Sequence, residues 1–517
     1  MALRAAEGPH PPPRYSTLSL VALPIYPTAG ELDISRLVDD PSSSDRVSRQ
    51  AFDFCLEAKG GITRGQGKPW ATLRLFSTVP ASLQRPRYTG GENVDGVVLL
   101  DLQRSQSVLA VSVVLKGQML TSSRSDGIHT FLDVVAPVWD STTAGDGNLQ
   151  GRHTLPFTIP FPTEFPDSFA VRSQRKTREG EDDPLAMFPT PQTICQRGIN
   201  ANVQYEVTLK ITTSGLFKSR HRVSGTILHV PVIRAPPLPP LRASAYVGGS
   251  FLIGPRDDPT GWQPLPTFHV RAAVRGGESC HIECTVSIAN PTTYTRGTVI
   301  PCYLVCRTSS TDDRSNAILH AFTAQNCVSL DLFQRVHYYQ DPRVAAPVNA
   351  SGAVKIGQGS KAARSNNSEE GGTAVWWTPR AHVARGDVKE DGFKSMSELS
   401  LEGEVHIDVA LLPTCAVPFL EVSHDLHVSL KGSQDLDVTV IPEDPSGTLP
   451  SALRKPQALN ADIKELPAWS VRIVTAHAPA GPVPTPFTPR PARKKKDLSV
   501  VQELQYINNS FSAGPYQ

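Results

Sequence analysis

The strongest constraint on this chain is a period of two. In "NVQYEVTLKITTSG", Val203, Tyr205, Val207, Leu209 and Ile211 alternate with Gln204, Glu206, Thr208, Lys210 and Thr212. Successive side chains of an extended backbone point to opposite faces, so this alternation predicts a strand with one apolar and one wet face, as in an antiparallel sheet. The pattern recurs in "KPWATLRLFS" from Lys68, in "NVDGVVLLDL" (93–102) and in "SGTILHVPVIR" (224–234). It also recurs in "SVLAVSVVLKGQ" (107–118), where Leu109, Val111, Val113 and Leu115 are expected on one face. With no long helical period among them, residues 67–234 are expected to form a β-sandwich.

A second set of strands follows. "LPTFHVRAAVRGGESCHIECTVSIANPT" (265–292) reads as a hairpin around Gly276-Gly277, and "RGTVIPCYLVCRT", "LSLEGEVHIDVAL" and "FLEVSHDLHVSLKGS" continue the alternation. The expected class is all-β: two tandem antiparallel, immunoglobulin-like β-sandwiches at 67–234 and 262–441. The prolines of "RAPPLPPLRASAYVGG" fix φ and remove backbone donors, so 235–261 reads as a Pro-rich linker. Residues 338–397, poor in apolar side chains apart from Trp376-Trp377, read as a disordered insertion. Residues 1–66 and 442–517 lack pattern and read as a disordered amino-terminal tail and a mainly disordered basic carboxy-terminal tail, the latter with a short amphipathic helix in "LSVVQELQYINNSF".

Charge narrows the function. Fifty-one basic against forty-nine acidic residues leave +2, too little for a global field toward nucleic acid or membrane. Nucleic acid is therefore not expected as a partner. The start reads as no secretory signal, and no apolar run approaches the roughly 18 residues that span a bilayer. A cytoplasmic location follows as the expectation, with the eight cysteines as reduced thiols.

Chemistry leaves few traces. Cys280, Cys284, Cys302 and Cys306 form two C-x3-C pairs on strands, which four thiolates could close around zinc or which could simply pack a core. The spacing lacks the two-residue knuckle, so core packing is the expectation and no metal is assigned. No nucleophile elbow, zinc-protease helix or phosphate-binding glycine loop is present. Neither an enzymatic activity nor a cofactor is expected.

Binding motifs are more informative. Pro12-Pro13-Arg14-Tyr15 fits P-P-x-Y, in which prolines preset a polyproline II helix and the tyrosine fills a second aromatic-lined pocket of a WW domain. Leu23-Pro24-Ile25-Tyr26 resembles the weaker L-P-x-Y variant; Pro12, Pro13, Tyr15, Leu23, Pro24 and Tyr26 are the WW-binding candidates, the second motif standing against a reading of "LSLVALPIY" as a strand docked on the sandwich. Pro237, Pro240 and Arg242 fit the P-x-x-P-x-R ligand of SH3 domains, against a plain linker. Arg493, Lys494, Lys495 and Lys496 would touch anionic lipid or act as a nuclear signal, against a solvated tail.

Several of these segments together carry a resemblance. Gly91-Glu92, Gly117, Pro156-Phe157, Pro160, Pro162, Pro166, Ser168-Phe169 and Tyr205, in that order, resemble the amino-terminal domain of the alpha-arrestin family, and "PTCAVPFLEVSHDLHVSL" resembles the closing strands of its second domain. The likeness covers about 70–440; the segment 172–198 and the stretch 338–397 stand as insertions against it. The resemblance implies an adaptor that brings a HECT-type ubiquitin ligase, through its WW domains, to the cytosolic tails of membrane transporters or receptors at the plasma membrane or endosomes. The same body would also suit a signalling scaffold or a retromer-type sorting subunit.

Overall fold

Asn202–Thr213 is the strand that its alternation predicts: Val203, Tyr205, Val207, Leu209 and Ile211 are all buried against one core. The computed structural model describes residues 49–57, 69–78, 85–121, 127–144, 148–166, 186–195, 201–214, 219–275, 277–310, 312–338, 363–364, 372–379, 397–432, 435–441, 466 and 468–489. Strand dominates them, and helix is limited to Ser141–Ala144, Pro240–Gly248 and Asp313–Ala324, with one 3-10 turn at Pro259–Gly261.

In the first sandwich one layer pairs Gln50–Glu57, Pro69–Ser77, the first half of Asn93–Leu120 and Asn148–Pro160. The other layer pairs the second half of Asn93–Leu120 with Ile128–Asp140 and Asn202–Thr213, and the latter with Ser219–Val230. One long strand thus serves both layers. It changes over at 103–106, which are exposed, and its register with Asn148–Pro160 breaks there. A second irregularity between Val108 and Ala110 resets the alternation, so Val108 joins Val111, Val113 and Leu115 in the core while Leu109 does not share their face. Leu73, Leu75, Val98 and Leu100 of one layer meet Val113, Leu115, Val207 and Leu209 of the other, each burial contributing roughly 1.5–3 kcal/mol.

The second sandwich has the same logic. One sheet orders Val375–Trp377, Ser397–His406, Val299–Thr308, Ser279–Ala289, Phe268–Val274 and Leu436–Ile441; the other is built around Val328–Tyr338, Leu420–Leu430 and Ala468–Val474. The hairpin of Phe268–Val274 and Ser279–Ala289 is the one expected around Gly276-Gly277. Asp312 caps the helix Asp313–Ala324 by accepting from Ser315 N at 2.9 Å, and Ile318, Leu319 and Phe322 form the stripe it buries.

The two sandwiches share a core. Val336, Tyr338, Leu412, Val417, Phe419, Leu420 and Val422 of the second pack into the cluster of the first. The Phe419 ring lies 5.0 Å from Phe131 and 5.9 Å from Phe165. Backbone bonds run alongside, Ala235 N donating to Ala476 O at 2.8 Å and Ala476 N to Ile233 O at 2.9 Å, and a side-chain bond joins them, Arg296 Nη1 donating to Gln192 Oε1 at 2.9 Å.

Four boundaries differ from the sequence expectation. Gln50–Glu57, placed in the disordered tail 1–66, is a strand; it pairs along Pro69–Ser77, with Arg74 bidentate to Asp53 at 2.7 Å. The linker 235–261 contains the helix Pro240–Gly248, because a proline at the first helical position loses no hydrogen bond. Within 338–397, Ala363–Arg364 pairs with Val328–Tyr338, and Val375–Trp377 pairs with Ser397–His406, burying Trp376 and Trp377. The tail 442–517 supplies the strand Ala468–Val474 and an extended segment to Pro489. The segments "GELDISRLVDD" and "LSVVQELQYINNSF" lie outside the described residues.

Candidate binding surface

Pro12, Pro13, Tyr15, Leu23, Pro24 and Tyr26, together with Arg493, Lys494, Lys495 and Lys496, lie outside the described residues. The structure does describe the third motif, and corrects it. Pro240 opens a helix rather than continuing a polyproline II run, and Arg242 is only 5 % exposed. Its guanidinium donates to Asn290 O and Gly261 O and lies 5.4 Å from the centre of the Trp262 ring. Pro237 lines a cleft with Tyr246, Tyr294 and His477. An SH3 domain needs this arginine free; here it fastens the inter-sandwich segment to the second sandwich.

The four strand cysteines are core residues. Cys280, Cys284, Cys302 and Cys306 are buried, on neighbouring strands in which Cys284 faces Cys306 with Sγ atoms 3.8 Å apart. The contact with Cys306, with burial, raises the Cys284 thiol well above its ordinary range, and burial, with the nearby charge of Glu404, does the same for Cys302. Cys280 instead contacts Thr308 Oγ1 at 3.2 Å.

A surface that the sequence reading did not single out lies on Ser219–Val230. Register places Arg222 directly opposite Lys210 and Arg220 opposite Thr212, on the face away from the core. Like charges directly opposite one another destabilise a sheet, and none of the three basic groups has an ion-pair partner among the described residues. The nearby acids are engaged elsewhere: Asp140 accepts from Thr142 N and Oγ1, each at 2.7 Å, and these bonds hold its carboxyl below the usual range, while Glu206 accepts from Thr208 Oγ1 at 2.7 Å. The outer edge of this strand is also open. From Ser219 to Ile227 no described strand pairs on the side away from Asn202–Thr213, since Arg87–Thr89 joins only at Leu228–Val230. An open edge with flanking arginines is chemically suited to an extended acidic peptide, which would add as a strand. The signal was available in "SRHRVSG", whose basic residues at alternate positions share a face with Lys210.

The resemblance motifs have physical reasons in this geometry. Gly91 sits at φ +86°, which favours glycine, and the following Glu92 closes the turn by accepting from Thr89 N at 2.7 Å. A Cβ on Gly117 would lie 2.8 Å from the Phe131 ring and 2.9 Å from Tyr205. Phe157, Phe161 and Phe165 are the buried members of the proline-phenylalanine segment, and Tyr205 donates to Pro191 O at 2.6 Å.

Residues 81–232 match the family model described as Arrestin (or S-antigen), N-terminal domain. Over that span the chain is arrestin-like. The match takes in the Gly91 turn, the long shared strand, the Phe157–Phe165 segment and the basic strand Ser219–Val230, whereas the second sandwich lies beyond it. No curated protein matches the chain. No helix among the described residues is long and apolar enough to cross a membrane.

Proposed function

We propose that this chain is a non-enzymatic adaptor that recruits a WW-domain, HECT-type ubiquitin ligase to membrane cargo and so promotes ubiquitination, endocytosis and sorting. The observation that carries the reading is the combination of Pro12-Pro13-Arg14-Tyr15 with an arrestin-like domain in one chain. The ligase contact is assigned to Pro12, Pro13 and Tyr15, with Leu23, Pro24 and Tyr26 as a second site that raises effective concentration for a ligase with several WW domains. The cargo contact is assigned to the open edge of Ser219–Val230, where Arg220, Arg222 and Lys210 face an acidic stretch of a transporter or receptor tail. The protein works in the cytoplasm, peripherally at plasma membrane or endosome, with Arg493 and Lys494–Lys496 contributing about 1 kcal/mol each near anionic lipid.

The test has two arms. A peptide of residues 5–30 is titrated onto ligase WW domains beside Tyr15→Ala and Tyr26→Ala; micromolar binding lost mainly with Tyr15→Ala is expected, and no binding by the unmodified peptide refutes the ligase contact. The full chain is then titrated with an acidic tail peptide, and Arg220→Glu with Arg222→Glu should weaken binding about tenfold or more at low salt. Unchanged affinity refutes the cargo surface.

A further inference from the structure

The segment from His477 to Pro489 crosses the second sandwich as a strap with no strand or helix of its own. Three of the hydrogen bonds on its end go to Glu404 of Ser397–His406, which is 1 % exposed. Glu404 Oε2 accepts from Phe487 N at 2.9 Å, and Oε1 accepts from Thr488 N at 2.7 Å and from the Thr488 hydroxyl. His406 Nε2 lies 2.8 Å from Thr488 Oγ1 and 3.2 Å from Glu404 Oε1. Beside this clasp the Phe487 ring lies 5.9 Å from both Phe251 and Trp377. Thr488 and Phe487 are buried, yet Thr488 is followed by proline, as is Thr485 three residues earlier.

We propose that Thr488 is a phosphorylation site for a proline-directed protein kinase, and that its modification releases the strap. The kinase transfers the γ-phosphoryl group of ATP to Thr488 Oγ; the P–O bond to ADP breaks, ADP leaves with that electron pair, and the hydroxyl proton passes to the kinase's base. The esterified oxygen no longer has a proton to give Glu404. The phosphate adds about two negative charges and three acceptor oxygens beside a buried carboxylate that already uses its lone pairs, and a clasp built from donors to that carboxylate cannot accommodate a second anion. Kinases take their substrates extended, so the site is modified when the strap lifts, and the modification then holds it lifted. Among the described residues, lifting breaks no strand ladder beyond the Ala476 bridge and uncovers Trp377 and the Glu404–His406 pair as surface. The inference does not rest on the ligase reading.

The experiment incubates the full chain with a cyclin-dependent-class kinase and ATP, locates phosphate by mass spectrometry, and follows hydrogen exchange of residues 477–489. Wild type should take phosphate at Thr488 more slowly than at Thr485. Glu404→Gln should speed modification at Thr488, and the phosphorylated wild type should lose amide protection at Phe487 and Thr488 by about tenfold or more while Val405 and Ile407 keep theirs. Thr488→Val, which keeps the Phe487 anchor, serves as the non-modifiable control. Absence of phosphate at Thr488 in both wild type and Glu404→Gln overturns the site. Phosphate at Thr488 with Phe487 and Thr488 still protected overturns the release.

Discussion

His229 makes the fold sensitive to acid. It is 1 % exposed in Ser219–Val230, stacked on Phe161 with ring centres 4.0 Å apart and met edge-on by Tyr205 at 5.2 Å. Burial pushes its pKa down to about 3, whereas in the unfolded chain it titrates near 6.5. The sign follows from which state takes up the proton. Above about pH 6.5 neither does; below it the unfolded chain is protonated while the folded one refuses, so stability falls as pH drops and stops falling near 3. Each unit in that window costs about 1.4 kcal/mol, so at pH 5 the loss is ~2 kcal/mol. His424, fully buried and pushed down to about 4, adds a similar ~2 kcal/mol by the same route. Its Nδ1 lies 3.0 Å from Thr414 Oγ1, which already accepts from Ile473 N at 2.8 Å and so has its own proton to give. A combined ~4 kcal/mol is a large part of the 5–15 kcal/mol of a typical domain. Urea unfolding of wild type and His229→Phe at about pH 7.5 and 5 measures the first term, since phenylalanine keeps the ring packing without a titrating nitrogen. The variant's loss between the two pH values should be smaller by ~2 kcal/mol. Equal losses within about 0.5 kcal/mol would refute the reasoning.

Two further outcomes test the junctions of the fold. Arg242→Met should destabilise by ~1–3 kcal/mol, because it removes the charged donor from Asn290 O and leaves Gly261 O with only its bond from Asn290 N; a thermal shift near zero would show that the guanidinium is not a structural tie. Phe419→Ala removes the ring between Phe131 and Phe165 and should cost ~3–5 kcal/mol, with calorimetry turning from one transition into two as the shared core weakens; a single unchanged transition would refute the coupling of the sandwiches.

What could be read from the sequence was local. Asn202–Thr213 announces itself because its five apolar residues all bury on one face, and that face is set by a period that needs no partner to be visible. Leu109 leaves the face that its alternation predicts because a single bulge at Val108/Ala110 reverses the pattern, and a bulge leaves no mark in composition. Gln50–Glu57 was missed for a different reason. It is an edge strand in which Phe52 is the one buried residue among those described, so its apolar signal is weak and its order comes from Pro69–Ser77 and the Arg74–Asp53 pair.

The sites follow the same rule with a sharper consequence. Short linear motifs are legible because their recognition lies in a few consecutive residues, but whether one is displayed depends on contacts far along the chain. "PPLPPLR" has every residue of an SH3 ligand, yet Arg242 is claimed by carbonyls 48 and 19 positions away. "PTPFTP" looks like unordered low complexity, yet it is held by Glu404, 84 positions earlier. The basic pair Arg222 and Lys210 becomes a pair only once register is known. In each case a proline-rich or polar stretch takes its role from a buried or opposed group elsewhere in the β-framework. The proline-tyrosine motifs, whose neighbours in space are not described, therefore stand or fall on the WW-domain titration alone.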